Sequence, residues 1–385
     1  MIKHREFCNR RYAEVMAYQS ASSAAPQETT VPARTRQVSN FDPTRSREAV
    51  AQLIVGAELL ISFGENPFFE QFMRTFVPNY QTVSRVTIRS DILKLFERKK
   101  LELFDEFKRG TFSVALTSDV WSGRAKQDYV SVVAHYVDGD WNLQKRIIGF
   151  PLLDVAHNGR NISDRVLNVL VNFDIHKRII AITLDNASAN NIAIELMRPN
   201  LSGFHEELFH VRCACHIVNL IVKEGLELVH EVITRIRCAI VYLSNSSSRV
   251  ASFKIMCRGY EKRPRIFSAD EPHRWNSTYT MLEEVIRYKE VLKTWIAREL
   301  GEPFFEDNDW ANAEMILEFL KVFYLATTAF SNVYIPSSHT ALHNIYEITK
   351  CFAKYRTHSQ LQPVVVAMEV KYFKYFKQIP LLYCF

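Results

Sequence analysis

Two short apolar runs that each end in an aspartate constrain this chain more than anything else in it. They are Phe112-Ser-Val-Ala-Leu-Thr-Ser-Asp119 and Ile179-Ile-Ala-Ile-Thr-Leu-Asp185. Both are aliphatic and β-branched enough to be buried strands. Both pass into small or polar residues right after the acid, Val120-Trp121-Ser122-Gly123 and Asn186-Ala187-Ser188-Ala189. In open α/β sheets, sites form in the crevice at the carboxyl ends of parallel strands. Two carboxylates delivered there suit a hard divalent cation such as Mg²⁺, which takes oxygen ligands. The pattern alone leaves a second reading open, because aspartates at strand ends also serve as helix N-caps and turn formers.

Around these runs the chain has a visible order. Residues 1–18 are basic and aromatic, with Lys3, Arg5, Arg10 and Arg11, and residues 19–47 read as a flexible Ser/Ala/Pro/Thr/Arg linker. Helical spacing then runs from Glu48 to Phe107. Val50, Leu53, Ile54, Ala57, Leu60 and Ile61 share a face, Phe68, Phe69, Phe72 and Phe76 continue it, and a third helix covers Val86 to Phe107. After the first aspartate run come Asp128–Val137, an Asp138-Gly139-Asp140 turn and Trp141–Phe150, which read as a hairpin. A helix at about 159–173, the 179–185 strand, a helix near 187–197, a short strand at Leu208–Cys213 and a long helix to Val229 follow. Three antiparallel strands, a crossover helix and further parallel strands predict an α/β fold, a mixed sheet flanked by helices. Beyond about residue 230 only helical patterns appear, among them Leu282, Val285, Ile286, Leu292, Trp295 and Ile296 on one face and Met315, Ile316, Phe319, Leu320, Phe323 and Phe330 on another.

Composition narrows the class. Of 385 residues 48% are hydrophobic, so most of the chain is expected to fold, and a net charge of +6 permits nucleic-acid binding without establishing it. Seven scattered cysteines, an odd number, argue for a reducing compartment and against a disulfide framework. No apolar run approaches the roughly 20 residues of a membrane helix, so no membrane partner is expected.

Four segments in order, Leu116-Thr-Ser-Asp-Val-Trp-Ser122, Thr183-Leu-Asp-Asn-Ala-Ser-Ala-Asn190, Cys213-Ala-Cys-His-Ile-Val-Asn-Leu-Ile221 and Arg274-Trp-Asn-Ser-Thr-Tyr-Thr-Met-Leu282, resemble the hAT superfamily of DNA transposases. Within it the likeness is to the plant sleeper-type proteins with a BED zinc finger. The resemblance implies an RNase H-like core over 111–245, interrupted by a large all-helical insertion that begins at 246. It implies a nuclear location and DNA as partner. By it, Asp119 and Asp185 match the first two acids of a D-D-E triad that holds Mg²⁺ or Mn²⁺ against a DNA phosphodiester. Cys213 and His216 match a C-x-x-H motif with a structural or DNA-positioning role, and Cys215 between them is assigned to the core. Trp275, after Arg274, matches a tryptophan that stacks on an extruded base, while its sequence alone reads as an ordinary, partly buried helix-start tryptophan. His157 and Asn161 sit where plant members often carry similar residues and are further candidates.

Two departures from the family pattern shape the expectation. No segment matches the family's third acid, a glutamate in a Ser-Glu-Arg context. Glu283, Glu284 and Glu290 read as the charged face of a helix at 280–300. Residues 246–385 are therefore expected to hold the helical insertion and only the start of the returning core, with Met368–Phe385 leading into it and the dimerisation region of full-length relatives missing. At the other end His4 and Cys8 keep the H-x-x-x-C half of a BED finger, residues 1–18 being its remnant. Two ligands do not close a tetrahedral zinc site, so zinc is not expected.

Between Asn245 and Arg274 stand Arg249, Lys254, Arg258, Lys262, Arg263 and Arg265, with Phe253, Tyr260 and Phe267 interleaved. This segment reads equally as a track for a phosphate backbone or as a solvated connector, and Asn245-Ser-Ser-Ser248 favours a loop at its start. Three functions stay open at this point: a catalytically incomplete DNA-binding protein derived from a transposase, part of an active cut-and-paste transposase, and a domesticated protein-interaction module.

Overall fold

The computed structural model describes residues 41–123, 125–201, 210–271, 274–331 and 338–376. His4 and Cys8 lie outside them. The chain forms two compact units, residues 1–102 and 103–385.

In the first unit, α1 (Pro43–Gly56) starts earlier than the linker boundary at 47 predicts. Its N-cap Asp42 accepts the Thr44 N–H at 2.8 Å and Pro43 takes the first helical position, a start signal that the low-apolar composition around it conceals. A 3-10 turn (Ile61–Glu65) and α2 (Pro67–Phe76) follow, and α3 (Arg85–Arg109) begins in this unit. Val50, Ile54, Phe69, Tyr80, Val83 and Ile88 form its core, and Arg47 makes a forked ion pair with Asp91. The expected continuous aromatic face is corrected here. Phe69 and Met73 turn inward, whereas Phe68, Phe72 and Phe76, each four residues apart, share the opposite stripe and stand exposed.

The second unit holds the sheet. Its strands are β1 (Val114–Ser122), β2 (Asp128–Val137), β3 (Leu143–Gly149), β4 (Leu152–Leu153), β5 (Ile179–Leu184) and β6 (His210–Arg212). The order is β3-β2-β1-β5-β6, with β4 pairing β2. β1 runs antiparallel to β2 and parallel to β5, and β6 is parallel to β5, so the mixed sheet is as expected. The hairpin turn is longer than an Asp-Gly pair. The Asp138 carboxylate accepts the N–H groups of Asp140 and Asn142, and Trp141, not Gly139, takes the left-handed conformation at φ 63°. That choice leaves β3 to start at Leu143.

One sheet face is covered. Val114, Leu116, Val130, Val132, Ala134, Tyr136, Ile182 and Leu184 pack under α4 (Gly159–Asn172), α5 (Ser188–Met197) and Phe107. The alternate residues, among them Thr117, Asp119, Ser131, His135, Lys145 and Ile147, occupy the other face. It is far more open: Ile147 is 69% exposed.

After β6 the chain is helical: α6 (Ala214–Leu226), α7 (His230–Ser244), α8 (Ser247–Gly259), α9 (Trp275–Ile286), α10 (Lys289–Leu300), α11 (Asp309–Phe330), α12 (Ser338–Tyr355) and α13 (Gln362–Phe376). They share one large core that includes Ile236, Phe253, Leu282, Trp295, Phe323, Phe352 and Met368. The loop expected at Asn245–Ser248 is only a short turn, because Phe253 and Cys257 fall on the buried face of a helix already begun at Ser247. Two of the three interleaved aromatics, Phe253 and Phe267, are therefore core. Of the C-terminal stretch, residues up to Phe376 are helix packed on α6, and 377–385 lie outside the described residues. Five cysteines in the described residues, Cys213, Cys215, Cys238, Cys257 and Cys351, are free thiols. Among the described residues no helix is long and apolar enough to cross a membrane.

Candidate metal centre at the strand ends

The register decides what β1 and β5 present. Thr117 pairs with Thr183, so Asp119 and Asp185, each two residues further on, emerge at one level from neighbouring parallel strands about 4.8 Å apart. Parallel pairing between the two strands stops at that threonine pair, while β1 continues along β2 to Ser122. The strands thus part where the two acids stand. Asp119 is held by its main chain: Ser131 Oγ accepts its N–H at 3.2 Å and donates to its C=O at 3.3 Å. Asp185 is held by its side chain. The Ala187 N–H at 2.8 Å and Asn190 Nδ2 at 2.6 Å both donate to Oδ1.

The next strand closes the group. The Cys213 N–H donates to the Leu184 C=O at 2.9 Å, which sets the start of α6 beside Asp185, with Cys213 at the N-cap and His216 in the first turn. Arg212, one residue earlier, reaches Asn186 Oδ1 at 3.3 Å. Burial, and then the charge of Asp185, push the Asp119 carboxyl above the ordinary aspartate value, while His216 and the Val120 N–H pull the other way. The Cys213 thiol lies below its ordinary value because the Cys215 thiol and the backbone N–H groups of His216 and Cys215 donate to it. Cys215 is half-buried and turns its sulfur to Ser331 Oγ, at 3.4 Å, just past the end of α11.

A carboxylate such as Asp119, whose ionisation burial and a neighbouring carboxylate make costlier, is a donor that a cation relieves. Mg²⁺ commonly takes one or two protein carboxylates and completes its shell with water and phosphate oxygens, so the pair fits such an ion. Among the described residues no three His, Cys, Asp or Glu side chains come together as a metal cage, so Cys213 and His216 do not build a closed zinc site there.

Other candidates fall elsewhere. His157 Nδ1 lies 3.8 Å from Asp128 Oδ2, and Asn161 donates to the Ala156 C=O; both shape the entry to α4. Trp275 opens α9 as expected, but its indole is core, 4% exposed, so a base would meet it only after the side chain turned out. Arg274 beside it is exposed. In the basic segment, Arg249 lies over the Tyr242 ring at 3.6 Å and donates to the Tyr242 C=O, and Arg265 pairs with Glu284. Arg258, Lys262 and Arg263 are exposed, and Lys254 is half-buried. The single helix expected at 280–300 is two, α9 and α10, broken at Arg287 and Tyr288; Glu283 pairs with Arg287 and Glu284 with Arg265 on α9, and Glu290 is exposed on α10.

Sequence reading passed over Asn190 and Arg212. Asn190 closes the second motif segment and Arg212 stands just before the third; the signal for Asn190 was its place in the first turn after Asp185, where an amide reaches back to the preceding acid.

Comparison with known proteins adds to this geometry. Residues 117–210 match the ZBED1 RNase-like domain and residues 211–319 the ZBED1 RNase-like helical domain, so the border between the two falls within β6. A putative AC transposase of Zea mays is 30% identical over 351 residues, covering 88% of this chain and 43% of the relative. The zinc finger BED domain-containing protein RICESLEEPER 2 of Oryza sativa subsp. japonica is 24% identical over 319 residues, 80% of this chain and 44% of the relative. The chain thus spans less than half the length of each of these relatives.

Proposed function

Because the chain belongs to the hAT family of transposase-derived proteins, we propose that it is a nuclear DNA-binding protein whose two strand-end acids hold Mg²⁺ or Mn²⁺ against a DNA phosphate. On this reading, residues 1–385 by themselves bind DNA without cutting it efficiently. The observation that carries the reading is the register that delivers Asp119 and Asp185 side by side at the opening between β1 and β5. A divalent ion bound there neutralises phosphate charge and acidifies a bound water. Asp119 and Asp185 supply its carboxylate oxygens. His216 and Cys213 border the pair, and Arg212, Arg274, Arg258, Lys262 and Arg263 offer cations for the backbone of the nucleic acid. The weakness of cleavage follows from the donor count: two acids meet here, and the third of the family's triad has no counterpart among the described residues.

The test uses the full chain. Calorimetric titration with Mn²⁺ is expected to show binding that is lost when Asp119→Asn and Asp185→Asn are combined. Mobility shifts on duplex DNA are expected to weaken steeply with salt, and Mg²⁺ to yield no strand cleavage. Absence of both DNA and Mn²⁺ binding would overturn the proposal. Robust Mg²⁺-dependent cleavage, abolished by Asp185→Asn, would instead favour a second reading: these residues as part of a longer cut-and-paste transposase. That reading draws on the 43% coverage of the maize relative.

A further inference from the structure

Asn190 makes one contact that the strand-end pair depends on and carries one atom with no partner. Its Nδ2 donates to Asp185 Oδ1 at 2.6 Å, a short bond to a carboxylate. Its own Oδ1 is buried and accepts no hydrogen bond in the described residues. The residue is 5% exposed, in the first turn of α5. An isolated buried amide oxygen is costly, and a helix position that only needed filling would take an aliphatic residue instead. What the asparagine provides is the other end of its amide.

We infer that Asn190 is a positioning residue for the metal centre, holding Asp185 so that Oδ2 faces the opening between β1 and β5. The inference rests on the metal reading of the two acids. Both donors to Asp185, the Ala187 N–H and Asn190, meet the same oxygen, and Oδ2 makes no hydrogen bond among the described residues. A carboxylate pinned through one oxygen offers the other in a fixed direction. That is how a supporting shell orients a metal ligand. Asn190 is itself fixed from behind. At Gly159 on α4 an added Cβ would stand 2.5 Å from the Ala189 C=O and 2.6 Å from Ile192 Cβ, so the two helices touch backbone to backbone one residue from the asparagine. The line of support runs from α4 through α5 to Asn190 and then to Asp185.

Mn²⁺ titration of the full chain tests this in three variants with thermal melts alongside. Asn190→Ala is expected to bind Mn²⁺ about 10–100-fold more weakly, the range for loss of such a support. Asn190→Ser, which keeps a donor on a shorter arm, is expected to recover part of the loss. Asp185→Asn is expected to abolish binding. An Asn190→Ala chain that is folded at the titration temperature and binds as tightly as the parent, while Asp185→Asn does not, would overturn the positioning role alone. Unchanged binding in Asp185→Asn would show the metal reading itself to be wrong and remove the inference with it.

Discussion

The sheet and the helical bundle of the second unit are built on opposite plans. The bundle buries its apolar residues on all sides of one core, with Trp295 at its centre: fully enclosed, tied through Nε1 to Ser252 Oγ at 3.1 Å, and edge-on to Phe253. The sheet buries one face and leaves the other open, with Ile147, Leu143 and Trp121 exposed on it. The two acids, Asp119 and Asp185, stand at the strand ends, with the rings of Trp121, Tyr129 and Phe150 in contact further along β1. Stability in this unit therefore resides mainly in the helices, and the sheet is the part free to place charged groups at some cost. Four substitutions probe that division.

Trp295→Ala should produce the largest change, a loss of about 3–5 kcal/mol, because the cavity it leaves is walled by rigid helices. Chemical denaturation measures it, and a loss under about 1 kcal/mol would mean the bundle is less tightly packed than its burial implies. Next comes one of the bundle's buried acids. Asp270 is enclosed and accepts from Arg237 and Thr278, which hold its carboxyl below the ordinary aspartate value. Asp270→Asn should cost about 2–4 kcal/mol, discounted from a fully buried pair because Arg237 keeps an edge in water. The sign with pH follows from the depressed value. The contribution is present above the unfolded aspartate value of about 4 and fades as pH falls through the lower folded value. A melting series from neutral to acid pH should thus show a slope in the parent that shrinks in the variant.

At the strand ends the sign reverses. Asp119 sits above its ordinary value, so its ionised form is disfavoured in the folded chain and its contribution becomes more unfavourable as pH rises. Asp119→Asn, measured with chelator present, should raise stability, by less than about 1 kcal/mol since the residue keeps part of its surface in water. A loss on that substitution would show the acid to be a structural cap. The smallest effect belongs to the open face: Ile147→Ser should stay within about 0.5 kcal/mol, as for other exposed positions. A loss of 2 kcal/mol there would reveal that something covers the face in solution.

How much of this was legible in the sequence depends on which force sets each element. The strands of the sheet announced themselves because apolar runs ending in small polar residues have few other uses, and the register that brings Asp119 to Asp185 follows once the two are parallel neighbours. The helical half was readable as helices, from spacings such as Leu282, Val285 and Ile286, but not as a single core, since pairing between helices leaves no mark in local spacing. The stripe of Phe68, Phe72 and Phe76 was misassigned for a related reason: aromatic spacing shows that residues share a face, not which face is inward. The loop expected at Asn245–Ser248 failed because serines both break and begin helices, and Phe253 and Cys257 decided the matter from further along. At the site, the acids were readable and Asn190 was not, because helical spacing places an asparagine in the first turn without showing that its amide reaches back to the acid before it.

One close approach in the bundle has a meaning for how relatives of this chain can vary. On α6, Gly225 lies so near α13 that an added Cβ would stand 2.4 Å from Met368 Sδ and 3.0 Å from Val364 Cγ1. These three positions form a lock in which volume is conserved, not identity. Where a descendant sequence carries a larger residue at 225, it should carry smaller ones at 364 or 368, and drift at any of the three alone should be purged. Because α6 has its other end at Cys213 beside the aspartates, a history of matched changes at 225, 364 and 368 would record selection on how the strand-end aspartates are placed, written some twelve residues away from Cys213.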